Sequence, residues 1–182
     1  HGYVNAKGTK ARFYHPSDVA VAKDGSLYVA DEGNRRVRRI LPDGTVTTVA
    51  GNNSGILSDG LKTKASFGGP LSLAFAPSGD LIVVDSARRA LRKMSPSGLV
   101  TTIAGFGHSG TTDGDGPMGS ALFDPRGIAF DAQGNLYLTD GNRVRVRFTD
   151  GRVRTLAGSS KGNVDGFGPN AKLNNPNHNN NN

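Results

Sequence analysis

The hydrophobic residues of this chain fall in runs of three to five, many of them closed by a turn-forming pair such as Asp-Gly or Ser-Gly. Residues 19–22 ("VAVA") are followed by "KDG" at 23–25. Residues 27–30 ("LYVA") carry the Leu-Tyr-Val alternation favoured on a pleated surface. Asp-Gly supplies the positive-φ positions of a tight hairpin. Residues 37–41 predict a third strand, "PDG" at 42–44 turns the chain again, and residues 45–50 predict a fourth. Ser78-Gly79, Ser97-Gly98, Gln133-Gly134 and Asp150-Gly151 repeat the punctuation. Nowhere do apolar residues recur at sustained helical spacing. The pattern predicts an all-β protein.

The pattern also repeats. "HPSDVAVAKDGSLYVAD" ends at Asp31, "GPLSLAFAPSGDLIVVD" at Asp85 and "DPRGIAFDAQGNLYLTD" at Asp140, at intervals of 54 and 55 residues. Each is followed by a basic segment ("NRRVRRILPDG", "ARRALRKMSPSG", "NRVRVRFTDG") and an apolar strand ending in Ala-Gly ("TVTTVAG", "LVTTIAG", "RVRTLAG"). A looser lead-in with its own Asp-Gly closes each cycle ("SDGLKTKASF", "TDGDGPMGSALF", "VDGFGPNAKL"). Four short strands recurring at about 50 residues are the mark of a β-propeller blade. The expected organisation is the end of a preceding repeat at 1–13, blades at 14–67, 68–123 and 124–173, and the start of a fourth repeat with an Asn-rich tail at 174–182.

"PRGIAFDAQGNLYLTDGNRVRV" resembles an NHL repeat, and the longer form with "VTTVAG" between cores is similar to NHL propellers of secreted bacterial and plant proteins. The resemblance implies four-stranded antiparallel blades in a ring that usually has six. Three complete blades make an open arc, so the expectation is a partial propeller or a fragment. Further blades, or self-association of copies, would be needed to close the ring.

Composition changes little in this picture. The 182 residues include 26 glycines, 9 prolines, no tryptophan and no cysteine, which removes disulfides and thiolate metal sites. No run approaches the roughly 20 apolar residues of a membrane-spanning helix. The chain opens at His1 without a methionine or a signal segment, so the natural N-terminus is expected upstream. The tail "NNPNHNNNN" departs from the repeat, and residues 177–182 carry no functional inference. A net charge of +7 steers towards acidic partners: proteins, anionic glycans or nucleic acid.

The cations are expected on the third strand of each unit: Arg35, Arg36, Arg38 and Arg39; Arg88, Arg89, Arg92 and Lys93; Arg143, Arg145 and Arg147. On partly exposed outer strands such side chains cover apolar surface and deter edge pairing. The competing reading is a band that grips phosphates and binds with steep salt dependence. Arg35, Arg36, Arg88, Arg89 and Arg143 are the candidate contacts to an acidic partner. Asp31, Asp85 and Asp140 each end a strand before a turn, where a carboxylate can accept backbone N–H groups. Their presence in every unit favours structural turn caps, because one catalytic site needs different residues in different blades.

In the loop "FGHSGTTDGDGP", Asp113 and Asp115 with His108 form a weak calcium candidate, set against an ordinary turn because Asp-Gly recurs at Asp59 and Asp165. The lyase branch of the family that the chain resembles uses a histidine cluster around zinc, but His1, His15, His108 and His178 lack ligand-like spacing. Lactonase propellers use Glu and Asn ligands, and Glu32 is the only glutamate. Nucleophile-elbow and phosphate-loop motifs are absent. No catalytic residue and no cofactor is assigned. The expectation is a non-catalytic scaffold for protein or surface-glycan partners, leaning to an extracellular or cell-surface location. An RNA-binding domain, and a lactonase or lyase fragment with its catalytic residues elsewhere, are the alternatives.

Overall fold

The computed structural model describes residues 1–174 and 176. The expected Asn-rich tail and His178 lie outside them.

Fourteen short strands make three antiparallel sheets among the described residues. The first sheet runs β1 (Pro16–Val21), β2 (Leu27–Asp31), β3 (Arg36–Ile40) and β4 (Val46–Ala50) in chain order. The second contains β5 (Gly60–Leu61), β6 (Pro70–Phe75), β7 (Leu81–Asp85), β8 (Ala90–Met94) and β9 (Leu99–Ala104). The third contains β10 (Gly114–Asp115), β11 (Pro125–Phe130), β12 (Leu136–Asp140), β13 (Arg143–Arg147) and β14 (Arg152–Ala157). The helical content is a few 3-10 turns and the four-residue turn Gly116–Gly119.

The lead-in segments pair forward. Gly60 and Leu61 bond to Val100 and Leu99 of β9, and Gly114 and Asp115 to Val153 and Arg152 of β14. Lys7 makes the corresponding bridge to Thr45 in the first sheet. Each lead-in therefore covers the outer strand of the sheet that follows it.

β1, β6 and β11 lie side by side along the inner edge of the arc. Asp18 ties the first two together, since its Oδ2 accepts from Leu73 N–H at 2.7 Å and Ser72 Oγ at 2.8 Å. The sheets stack face to face. Leu81, Val83, Met94 and Val100 pack with Ala20, Val37 and Ala50 between the first and second sheets. Ile82, Val84 and Leu91 pack with Leu136, Leu138 and Val153 between the second and third. Successive strand residues point to opposite faces. β7 is therefore buried at all five positions and reads "LIVVD", an unbroken apolar run before its aspartate. Among the described residues no further sheet packs on the outer flanks of the first and third sheets, and the arc stays open.

Candidate interaction face

At one end of every sheet the second strand turns into the third, and the loop that enters the first strand passes beside it. The sequence puts an aspartate at this corner and an arginine on the third strand, and the fold joins them. Arg38, Arg92 and Arg145 are fully buried, as are Asp31, Asp85 and Asp140. Arg38 Nη1 lies 2.7 Å from Asp31 Oδ2, Arg145 Nη1 3.0 Å from Asp140 Oδ2, and Arg92 Nη1 3.8 Å from Asp85 Oδ2.

Each guanidinium also reaches the lead-in some thirty residues earlier. Nη2 of Arg38 donates to Val4 O and Asn5 Oδ1, that of Arg92 to Ser58 O and Asp59 Oδ1, and that of Arg145 to Thr112 O and Asp113 Oδ1. Nη1 donates to the carbonyls of Arg12, Ser66 and Ala121 in turn. One planar fork thus staples the second strand, the third strand and the lead-in, a task that suits the fixed donor geometry of arginine.

These three arginines differ from expectation. They are interior groups rather than partly exposed cover, because the lead-in folds over them and supplies acceptors that a free strand would lack. Arg35, Arg88 and Arg89 also depart from it, lying on the turn before the third strand. Arg35 and Arg89 have φ of 54° and 49°, a left-handed conformation that cannot continue a strand. Arg36 and Arg143 open their strands.

The aspartates accept main-chain N–H groups from the loop entering the first strand. Asp31 Oδ1 takes Tyr14 N–H at 2.8 Å, Asp85 Oδ1 takes Gly69 N–H at 2.8 Å, and Asp140 Oδ1 takes Phe123 and Asp124 N–H at 2.8 and 2.7 Å. Neither Asp31 nor Asp85 caps a backbone N–H of the turn that directly follows it, although Asp31 Oδ2 accepts from Asn34 Nδ2 within that turn at 2.8 Å. Burial pushes the Asp85 carboxyl above its ordinary value, against the pull of the Gly68 and Gly69 amides and of Arg92. Burial likewise pulls the Arg92 guanidinium down, with Asp59 and Asp85 opposing.

Asp113 and Asp115 are held by protein groups. Asp113 accepts from Arg145, from Thr155 N–H at 2.9 Å and from Thr155 Oγ1 at 2.9 Å. Although burial works to raise its pKa, these bonds outweigh it and hold the carboxyl below the usual value. Asp115 Oδ1 accepts from Arg154 Nη2 at 3.1 Å. Among the described residues no three His, Asp or Glu side chains gather closely enough to hold a metal ion.

The accessible side chains at this end include arginines and aromatic rings, together with Glu32 on the turn after β2. Arg35, Arg88, Arg89 and Arg143 form no ion pair among the described residues. Arg35 donates to Asn53 O, Arg88 to Gly55 O and Arg89 to Phe123 O, so the first two brace one loop between the first and second sheets. Tyr14 and Phe123, on the loops entering first strands, and Phe106, just after β9, are 38%, 51% and 49% exposed. The sequence already carried a signal for the buried pairs: in every unit an aspartate, a third-strand arginine and a lead-in Asn or Asp recur together.

The NHL-repeat family model matches residues 13–40, which span β1 to β3 and their Asp31–Arg38 pair. The chain belongs to the NHL-repeat family. It is 31% identical over 157 residues to Teneurin-1 of Caenorhabditis elegans, covering 79% of this chain and 5% of that protein. To NHL repeat-containing protein 2 of Bos taurus it is 28% identical over 167 residues, covering 84% of this chain and 23% of the relative. The chain thus spans less than a quarter of the length of these curated relatives. An auxiliary nutrient binding protein from Bacteroides ovatus superposes with a TM-score of 0.70 at 19% identity, covering 91% of this chain and 43% of that one. At that identity the likeness concerns the fold.

Proposed function

We propose that this NHL module is a non-catalytic, rigid interaction scaffold whose basic-aromatic end receives an acidic partner, a protein surface or an anionic surface glycan. One observation carries this reading. Arg35, Arg88, Arg89 and Arg143 form no ion pair among the described residues, Arg88 exerting only a longer-range pull on Asp85, and they share this end with exposed Tyr14, Phe106 and Phe123 on loops braced by buried Arg–Asp pairs. Rigid strands with variable loops suit recognition, and arginine with aromatic anchors is the composition of binding hot spots. Single-stranded RNA is a second candidate, because guanidinium and ring faces also stack bases. It is less well supported, since three of the four guanidiniums spend donors on main-chain carbonyls. An extracellular or cell-surface location belongs to the same proposal.

The test uses immobilised chain with a poly-glutamate peptide, a heparin oligosaccharide and oligo-uridine as probes, each at low and moderate salt. The expected result is binding of the peptide or the saccharide, weakened about tenfold or more by the combined Arg35→Ser, Arg89→Ser and Arg143→Ser substitutions. Preference for oligo-uridine with a steep salt slope would move the assignment to RNA. Affinity unchanged by the triple substitution would overturn the face altogether.

A further inference from the structure

Each lead-in enters a short helical turn at a residue in the left-handed conformation. In three of the four this residue is glycine: Gly8 at φ 59°, Gly116 at 67° and Gly168 at 56°. In the lead-in to the second sheet it is Lys62, at φ 52°. The positions are equivalent in bonding too. Gly8, Lys62 and Gly116 donate their N–H to the carbonyls of Gly44, Gly98 and Gly151, at 2.9, 2.8 and 3.2 Å. A side chain at Gly8 or Gly116 would meet nothing, so torsion alone makes glycine the natural occupant. A lysine there is strained, and strain held where the fold does not require it points to use.

Lys62 lines a cleft of about 750 Å³ between the first and second sheets, at the end opposite the Arg–Asp corners. Its stem lies along Gly98, where even a Cβ would come within 2.7 Å of Lys62 Cγ. The floor is apolar: Val49, Leu81, Met94 and the edge-to-face pair Tyr28–Phe75, with ring centroids 5.2 Å apart. At the rim Asp24 neutralises Arg39 at 2.5 Å. Lys23 and Lys62 also line the cleft, and neither is ion-paired among the described residues. The corresponding cleft between the second and third sheets measures about 400 Å³. There the lead-in residue is glycine, and Arg147 reaches in to donate Nε to Ile103 O at 3.1 Å.

We propose that the larger cleft binds a small anionic ligand with a flat apolar body, of the aromatic carboxylate class. Tyr28, Phe75 and Met94 receive the ring, and the unpaired ammonium groups of Lys62 and Lys23 receive the carboxylate. The volume is that of a small-molecule site, and a concave apolar floor with a few polar groups at its edge is the usual form. Charge complementarity selects an anion, since the one carboxylate at the rim is already held by Arg39. This site is separate from the basic-aromatic end and does not depend on that assignment.

The test is titration of 1-naphthoate into isotope-labelled chain, followed by amide shift mapping. Expected are shifts at Tyr28, Lys62, Phe75 and Ser97, with neutral 1-naphthamide binding at least about tenfold more weakly. Lys62→Gly installs the residue the other lead-ins carry, so its melting temperature should be unchanged or raised while naphthoate affinity falls about tenfold or more. Lys62→Gln keeps the backbone requirement and removes the charge, and should lose the same affinity even if the glycine variant behaves poorly. Shifts confined to the outer flanks of the first and third sheets, or naphthoate affinity in both variants equal to that of the unsubstituted chain, would overturn the proposal.

Discussion

Asp31, Asp85 and Asp140 hold the same corner at three distances from their arginines, 2.7, 3.8 and 3.0 Å. A buried ion pair gives modest net stability, but removing one charge leaves the other stranded, at about 3–5 kcal/mol. Asp31→Asn and Asp140→Asn should therefore cost close to that range. Asp85→Asn should cost less than half as much. Arg92 already stands 3.8 Å from the charge that is lost, and the neutral amide escapes the burial that raises the Asp85 carboxyl. Its remaining oxygen can still accept the Gly69 N–H. Urea unfolding of the three variants in parallel checks the order; equal losses would show that ion-pair distance does not govern these corners.

At the scale of the element, strands and turns were legible because each obeys a local rule. Alternation gave β2 and turn pairs gave the hairpins, so the expected strand at 27–30 is seen as Leu27–Asp31 and that at 37–41 as Arg36–Ile40. What joins elements was less legible. Arg38 and Arg92 follow their aspartates by seven residues, whereas Arg145 follows Asp140 by five, because the third corner has a two-residue turn. Its lead-in partner is a further thirty-odd residues away, beyond any periodicity. The lead-in strands consist of two residues each, too short to carry an alternation. Phe67 is the apolar counterpart of that joint, wholly buried with the Arg92 guanidinium 5.2 Å from its ring centroid. Phe67→Ala should cost about 3–5 kcal/mol by opening a cavity between lead-in and sheet. Phe106→Ala, at a half-exposed loop ring, should change stability by no more than about 0.5 kcal/mol. Thermal unfolding of the pair tests whether the lead-in belongs to the cooperative unit, since a small loss at Phe67 would mean that it does not.

For the whole molecule, the repeat makes the open flanks readable by substitution of equivalents. Phe75 and Phe130 pack against the sheet that precedes theirs, and Val21 holds the same place in β1 with no sheet before it, 66% exposed. Val49 and Ile103 pack against the sheet that follows, and Leu156 holds their place in β14, 41% exposed. The two flanks are thus complementary halves of one recurring interface, and a head-to-tail contact between copies would bury both. This chain, 19.0 kDa as a monomer, should accordingly show a mass that rises with concentration in light scattering. Val21→Lys and Leu156→Lys attack opposite sides of the same contact, so each alone should return the mass to 19.0 kDa, and the two together should add nothing further. A mass fixed at the monomer value across a dilution series of the unsubstituted chain would refute the complementarity. Association that survives both substitutions would place the contact elsewhere on the arc.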